Sequence, residues 1–196
     1  MTLPLSADAL DQLFANAHTS YAYTDAPVPT ETLHAIWDQI KFAPTSFNCL
    51  PARIIWCVSD EAKEKMAGFA MEANAKRILA APVTAIIGMD MKFYEHLPQL
   101  FPPADVQGLF SGNAQLAETT AFRNSSLQGG YLILAARALG LGVGAMSGFD
   151  NAGVDEAFFA GTAVKSNFIA TMGVVDPAGN LPRLARPDFG QFNTIM

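Results

Sequence analysis

The chain has 196 residues, 51% of them hydrophobic, and its 12 basic against 18 acidic side chains leave a formal net charge of -6. At this length a single compact domain hides roughly 70% of the surface its unfolded chain exposes, so one domain over residues 1–196 is expected, with a core that needs no staples. The deficit of Lys and Arg gives no field for a phosphodiester backbone or anionic lipid, which argues against nucleic-acid and membrane partners.

The first predicted elements are two amphipathic helices. From Ser6 the set Leu10, Leu13, Phe14 and Ala17 keeps helical spacing, and Leu33, Ile36, Trp37 and Ile40 repeat it behind a Thr30 cap. Residues 53–58 (Arg-Ile-Ile-Trp-Cys-Val) and 83–89 (Val-Thr-Ala-Ile-Ile-Gly-Met) are short, apolar and β-branched, the mark of buried strands, and a charged helix over 60–79 joins them. Residues 90–112 hold Pro98, Pro102 and Pro103 among five large aromatic and aliphatic side chains, which predicts an ordered lid or interface loop without regular structure. A long helix follows over 115–139, then strands over 142–146 and 165–173 around a short helix capped by Asp150, and a polar, irregular tail from Asp176. This order predicts an α+β fold, a mixed sheet with helices on both sides.

Cys49 and Cys57 belong to no Cys-x-x-Cys or Cys/His cluster, so they read as reduced structural thiols, and no metal is expected. The opening Met-Thr-Leu-Pro-Leu-Ser lacks a secretory pattern and no apolar run has membrane-spanning length, so a cytoplasmic location is expected. Gly140-Leu-Gly142-Val-Gly144-Ala145 contains Gly-x-Gly-x-x-Ala, but a helix precedes it and a strand follows, the reverse of a dinucleotide fingerprint. No Gly-x-Ser-x-Gly elbow occurs, and His18, His34 and His96 lie far apart, so no catalytic triad is expected.

Three fragments carry more information. Ala43-Pro44-Thr45-Ser46-Phe47-Asn48 offers hydroxyl and amide groups that suit a phosphate or ribityl chain, and equally suit an ordinary turn. Asn74-Ala75-Lys76-Arg77 puts an amide and a cation on one helix face, where both can reach one planar ligand or can simply meet water. Met146-Ser147-Gly148-Phe149-Asp150 ends a strand at a glycine, where backbone amides can approach a ligand or merely turn the chain.

In this order and spacing the three fragments resemble the FMN-dependent nitroreductase family. With the runs Glu118-Thr119-Thr120-Ala121-Phe122-Arg123-Asn124-Ser125-Ser126, Lys165-Ser166-Asn167 and Phe93-Tyr94-Glu95-His96-Leu97-Pro98, they look like its malonic semialdehyde reductase branch in pyrimidine degradation. The resemblance implies an intertwined homodimer with an extended C-terminal tail, FMN held between protomers, and NAD(P)H as hydride donor to flavin N5, with no side chain as covalent catalyst. It implies that Thr45, Ser46 and Asn48 touch the cofactor's polar edge or tail. Asn74 and Arg77 face its pyrimidine ring, and backbone at Met146, Ser147 and Gly148 lies near N5. His18 and Thr19 stand at the N-terminal phosphate grip, with Arg183 or, by the better positional match, Arg186 reaching the phosphate from the tail. Arg123 is the candidate for the carboxylate of a small-molecule acid aldehyde. The family's basic, basic, Ser grip is here Ala17-His18-Thr19-Ser20-Tyr21, without a fixed positive charge, and Leu50 and Ala52 replace its usual Gln and Trp. The alternatives are a broad NAD(P)H nitro or quinone reductase, a flavin-binding protein without turnover, and a cofactor-free interaction domain.

Overall fold

The computed structural model describes residues 3–179 and 181–196. Helix α1 (Ala7–Leu10) starts where the Ser6 hydroxyl accepts the Ala9 N–H at 3.2 Å, and it runs on as a π-helical turn, Asp11–Ala15. Its apolar face is not core, since Leu10 and Phe14 remain exposed. What docks this segment is polar: Gln12 donates to the Arg137 carbonyl at 2.7 Å and Arg137 donates to the Leu13 carbonyl at 3.0 Å. Helix α2 (Thr30–Ile40) buries Leu33, Ile36 and Ile40, and its N-cap is Pro29; Thr30 is already helical and caps nothing.

After a turn at Ser46–Asn48 come β1 (Ala52–Cys57), α3 (Asp60–Ala67), α4 (Glu72–Ala80) and β2 (Val83–Asp90). The single helix expected over 60–79 is thus two. Gly68 ends α3, and the next residues pair with a distant strand end: Ala70 bridges Phe149, Met71 N–H donates to the Gly148 carbonyl at 3.0 Å, and Asp150 N–H donates to the Phe69 carbonyl at 2.8 Å. Helical periodicity continues through the break, so a tertiary backbone pairing overrides local preference there.

The 90–112 segment is more regular than expected, with a 3-10 turn (Phe93–His96), α5 (Leu97–Leu100) and α6 (Gln107–Ser111). Pro98 lies in the first turn of α5, where its missing N–H has no helical partner to lose. Phe93, Leu97 and Phe110 pack with Cys49, Ala117 and Ala121 as a small core, so the segment is ordered. Then follow α7 (Ala114–Ala138), β3 (Gly142–Met146), α8 (Asn151–Phe159), β4 (Val164–Gly173) and a tail with α9 (Phe189–Phe192). Asp150 occupies the N-cap position of α8 without a side-chain capping bond. Gly140, at φ 82°, closes α7 in the left-handed conformation that glycine tolerates, and β3 begins two residues later, so the glycine run is a helix end and not a dinucleotide loop.

The fold is α+β, and the sheet order is β1-β2-β4-β3. All three strand pairings are antiparallel, so the mixed character expected of the sheet is confined to one parallel bridge, Thr19 with Val143. Between β1 and β2 the two helical passes of α3 and α4 deliver β2 running against β1, whereas β3 and β4 are antiparallel across the single helix α8. Helices cover both faces. Ile36, Ile40, Leu132 and Ala136 pack on Val83, Ala85 and Ile87 from one side, and Met66, Ile78 and Val154 on Ile86 and Ile169 from the other. With both faces covered, β2 reads as a nearly continuous apolar run. No helix among the described residues is long and apolar enough to cross a membrane.

Candidate functional site

Segment 17–21 runs beside β3, held by the Thr19–Val143 bridge and by Ser20 N–H donating to the Val143 carbonyl at 3.0 Å. Helix α4 brings up Asn74 and Arg77, one turn apart. Asn74 Nδ2 donates to the Gly148 carbonyl at 3.0 Å, Arg77 Nη2 donates to the Ser20 carbonyl at 3.1 Å, and the Arg77 guanidinium stands 4.2 Å over the Tyr21 ring. Arg77 Nε is buried with no hydrogen-bond partner among the described residues. Met146 is buried in the sheet edge, and Ser147 is exposed beside the half-buried Gly148.

Two glycines make this approach possible. A Cβ on Gly144 would lie 2.7 Å from the Ser20 carbonyl oxygen and 2.9 Å from Arg77 Nη2, and one on Gly148 would lie 2.7 Å from Met71 Sδ and 2.8 Å from Asn74 Nδ2. The chain therefore has no side chain at the two places where α4 meets the end of the sheet.

Beyond Tyr21 opens a cavity of about 550 Å³ lined by His18, Thr19, Tyr21, Arg137, Arg183 and Arg186 among others. A second cavity of about 420 Å³ adjoins it and shares Ala17, His18 and Arg137. Arg183 Nη2 donates to the carbonyls of Ala15 (2.6 Å) and Ala17 (2.8 Å), and Arg186 Nη1 to those of Leu184 (3.0 Å) and Ala185 (3.1 Å). Sequence reasoning missed Arg137. A cation in the last turn of a helix reads as a partner for the helix dipole, so nothing in the local pattern marks it.

The charges here are unusual for an acidic chain. Lys65, Arg77, Arg123, Arg137, Arg183 and Arg186 make no ion pair among the described residues, and four of these six meet along residues 17–21. An unpartnered buried Arg77 Nε, an amide, two glycine gaps and a cationic cavity in sequence fit a planar ring bearing a phosphate-ended chain, as FMN is. No group of three or more His, Cys, Asp or Glu among the described residues is placed to hold a metal.

Thr45, Ser46 and Asn48 lie elsewhere. They precede β1, the edge opposite β3, three strand spacings or about 14 Å across the sheet. There Asn124 Oδ1 accepts Ser46 N–H at 2.9 Å, Thr45 Oγ1 accepts Leu50 N–H at 3.2 Å, and Asn48 Nδ2 donates to the Leu100 carbonyl at 2.9 Å. Phe47, Asn48 and Leu50 take left-handed φ values of 51°, 52° and 38°, a strain of the kind that concentrates at ligand clamps. Phe47 meets Phe101 and Phe110 edge to face at 5.3 and 6.1 Å. Arg123 is exposed on α7, beside Asn124, in a shallow depression with Phe122 and Leu127. Within one chain, then, the structure brings together His18, Thr19, Asn74, Arg77, Met146, Ser147, Gly148, Arg183 and Arg186, and leaves Thr45, Ser46, Asn48 and Arg123 on the far edge.

Both cysteines are free and buried, and burial pushes each thiol up to about 11, which keeps them protonated and unreactive near neutrality.

Residues 15–173 match the model of the Nitroreductase family. A Burkholderia lata protein named "Putative NADH dehydrogenase/NAD(P)H nitroreductase" is 58% identical over 97% of this chain and 98% of its own length. A Stenotrophomonas maltophilia protein of the same general name is 53% identical over 97% of each. Among solved structures, a nitroreductase-type protein of Exiguobacterium sibiricum in complex with FMN superposes over the whole of both chains with a TM-score of 0.86 at 20% identity. A match over most of the chain, relatives above half identity and the same arrangement of strands and helices lead to one conclusion: the chain belongs to the nitroreductase family.

Proposed function

We propose that this chain is an FMN-dependent NAD(P)H oxidoreductase that reduces malonic semialdehyde to 3-hydroxypropionate, working in the cytoplasm as a homodimer. The observation that carries the reading is Arg77, fixed between Ser20 and Tyr21 with a buried Nε that has no partner among the described residues. The names of the relatives point to NAD(P)H as donor, and the FMN complex of a protein with this fold points to the cofactor. When bound, FMN supplies the two-electron chemistry between nicotinamide and acceptor.

The chain's own groups bind and orient. Asn74 presents donor and acceptor to the edge of a ring, and Arg77 stabilises negative charge that develops on it during reduction. Gly144 and Gly148 let backbone at Met146, Ser147 and Gly148 approach, while His18, Thr19, Arg183 and Arg186 face the phosphate end. Thr45, Ser46 and Asn48 complete the site from a second copy, because their own chain holds them an entire sheet width away. The outward side of α7 suits that copy, with Phe122, Leu127 and Tyr131 exposed along it. Arg123, without a carboxylate partner on that same helix, binds the acid of the aldehyde substrate.

A second reading, a broad nitro or quinone reductase, draws on the wall of Phe47, Phe101 and Phe110, which suits flat acceptors, and on the relatives' names. The first experiment is an anaerobic visible spectrum of the FMN-supplied protein before and after NADPH. Bleaching of a protein-bound flavin band is expected, and no band would end the reading. Arg123→Ala then separates acceptors: KM for malonic semialdehyde is expected to rise about tenfold or more with little change for a quinone, and equal effects on both favour the second reading. Light scattering of the loaded protein is expected to give a dimer, and a loaded monomer would exclude a shared site.

A further inference from the structure

We propose that Arg137, in the last turn of α7, is the fixed cation that binds the phosphate of the flavin nucleotide, acting together with Arg183 from the tail. The inference rests on the flavin reading above and names what replaces the charge missing at Ala17.

The need comes from the segment at the mouth of the cavity. Residues 17–21 bring one ionisable base, His18, to a site that must hold a dianion. Arg137 supplies a permanent charge at the right place, since it lines both adjoining cavities and shares each with Ala17 and His18. Its guanidinium has donors to spare: Nη1 donates to the Leu13 carbonyl at 3.0 Å, and the group carries five N–H bonds in all. Arg183 likewise spends Nη2 on the carbonyls of Ala15 and Ala17. Neither meets a carboxylate among the described residues.

Two guanidinium groups close enough to repel, with no acid between them, are stable together only at a cost that an anion removes. Burial pushes the Arg137 pKa down, and the neighbouring charge of Arg183 pushes the same way. The negative end of α7 opposes an anion, but its last carbonyls are occupied: Ala135 and Ala136 accept from Leu139 and Leu141, and that of Arg137 from Gly140 and Gln12. Arg137 also differs from the tail cations in being mounted on a helix of 25 residues whose neighbours Ala135 and Ala136 are buried, so its position is set before the ligand arrives.

Affinity for FMN and for riboflavin, which lacks the phosphate, measured by quenching of flavin fluorescence, tests this without turnover. Wild type is expected to prefer FMN. Arg137→Gln, which keeps a donor for the Leu13 carbonyl, is expected to lose about 10- to 100-fold in FMN affinity with riboflavin changed less than about twofold, and Arg137→Lys to recover part of it. Undiminished FMN binding in Arg137→Gln, or equal loss of both flavins, overturns the proposal. So does a loss confined to NADPH against NADH, which would assign the cation to the donor's phosphate. Failure of wild type to bind either flavin overturns the flavin reading itself.

Discussion

The two edges of the sheet use polar residues in opposite ways. At the β1 edge most of them satisfy one another: Arg53 pairs with Asp90 at 2.6 Å, Asn124 accepts Ser46 N–H, and Asn48 donates to the Leu100 carbonyl, while Gln128 accepts Ala52 N–H and leaves only its buried Nε2 without a partner among the described residues. At the β3 edge they are left in surplus, with Arg77 Nε unpartnered and Arg137, Arg183 and Arg186 facing a cavity without acids. Groups paired inside one chain define a shape, whereas several cations without an acid around one cavity suit an anion. The β1 edge therefore offers a stiff, strained surface, and the β3 edge carries the charge.

The largest effect that could break this contrast is expected from Gly144→Ala. Its Cβ would meet the Ser20 carbonyl, which is backbone and cannot swing aside, as well as Arg77. Flavin affinity should fall about 100-fold, with about 1–3 kcal/mol lost in a urea titration; unchanged flavin binding would remove the β3 edge from the site. Asn124→Ala should do the reverse. It truncates a side chain only 4% exposed and takes the acceptor from the N–H of the exposed Ser46, which costs about 1 kcal/mol, while the preference for FMN over riboflavin stays as it was. A third effect is alkaline and again belongs to the β1 edge, where Cys49 and Cys57 sit. Their folded pKa values, raised to about 11 by burial, exceed those of the unfolded chain, so the stability they contribute is whole below about pH 9 and is lost as pH rises towards 11. Urea midpoints between pH 8 and 11 should fall over that window, and less in a Cys49→Ala, Cys57→Ala double variant.

Much of the fold was legible because it is written in periodicity. The buried run of residues 83–89 and the long helix near 115–139 fall within a residue or so of β2 and α7. The break at 68–71 was not, because its cause is a strand end nearly eighty residues away, and only the antiparallel meeting of β1 and β2 follows from that break. Thr30 and Asp150 show the limit of reading caps from residue type: each stands at a helix start, and neither side chain makes a capping bond. At the site, Asn74 and Arg77 were legible from their spacing on one helix face. The separation of Thr45, Ser46 and Asn48 from them was not, since chain order carries no information about which sheet edge a turn joins. Arg137 stayed hidden because its neighbours in sequence are small and apolar, and its neighbours in space come from residues 12–18 and 183.

The clamp between the helix break and the far strand has a kinetic consequence. Met71 N–H reaches the Gly148 carbonyl across 148 − 71 = 77 residues, so this contact closes a long loop whose entropic cost must be met before the contact can form. The hairpin-like meeting of α3 and α4 is local and can form early, while its attachment to β3 waits for most of the sheet. The ring end of the site is then among the last parts of the molecule to assemble, and the Met71 amide is a natural hydrogen-exchange reporter of that final step.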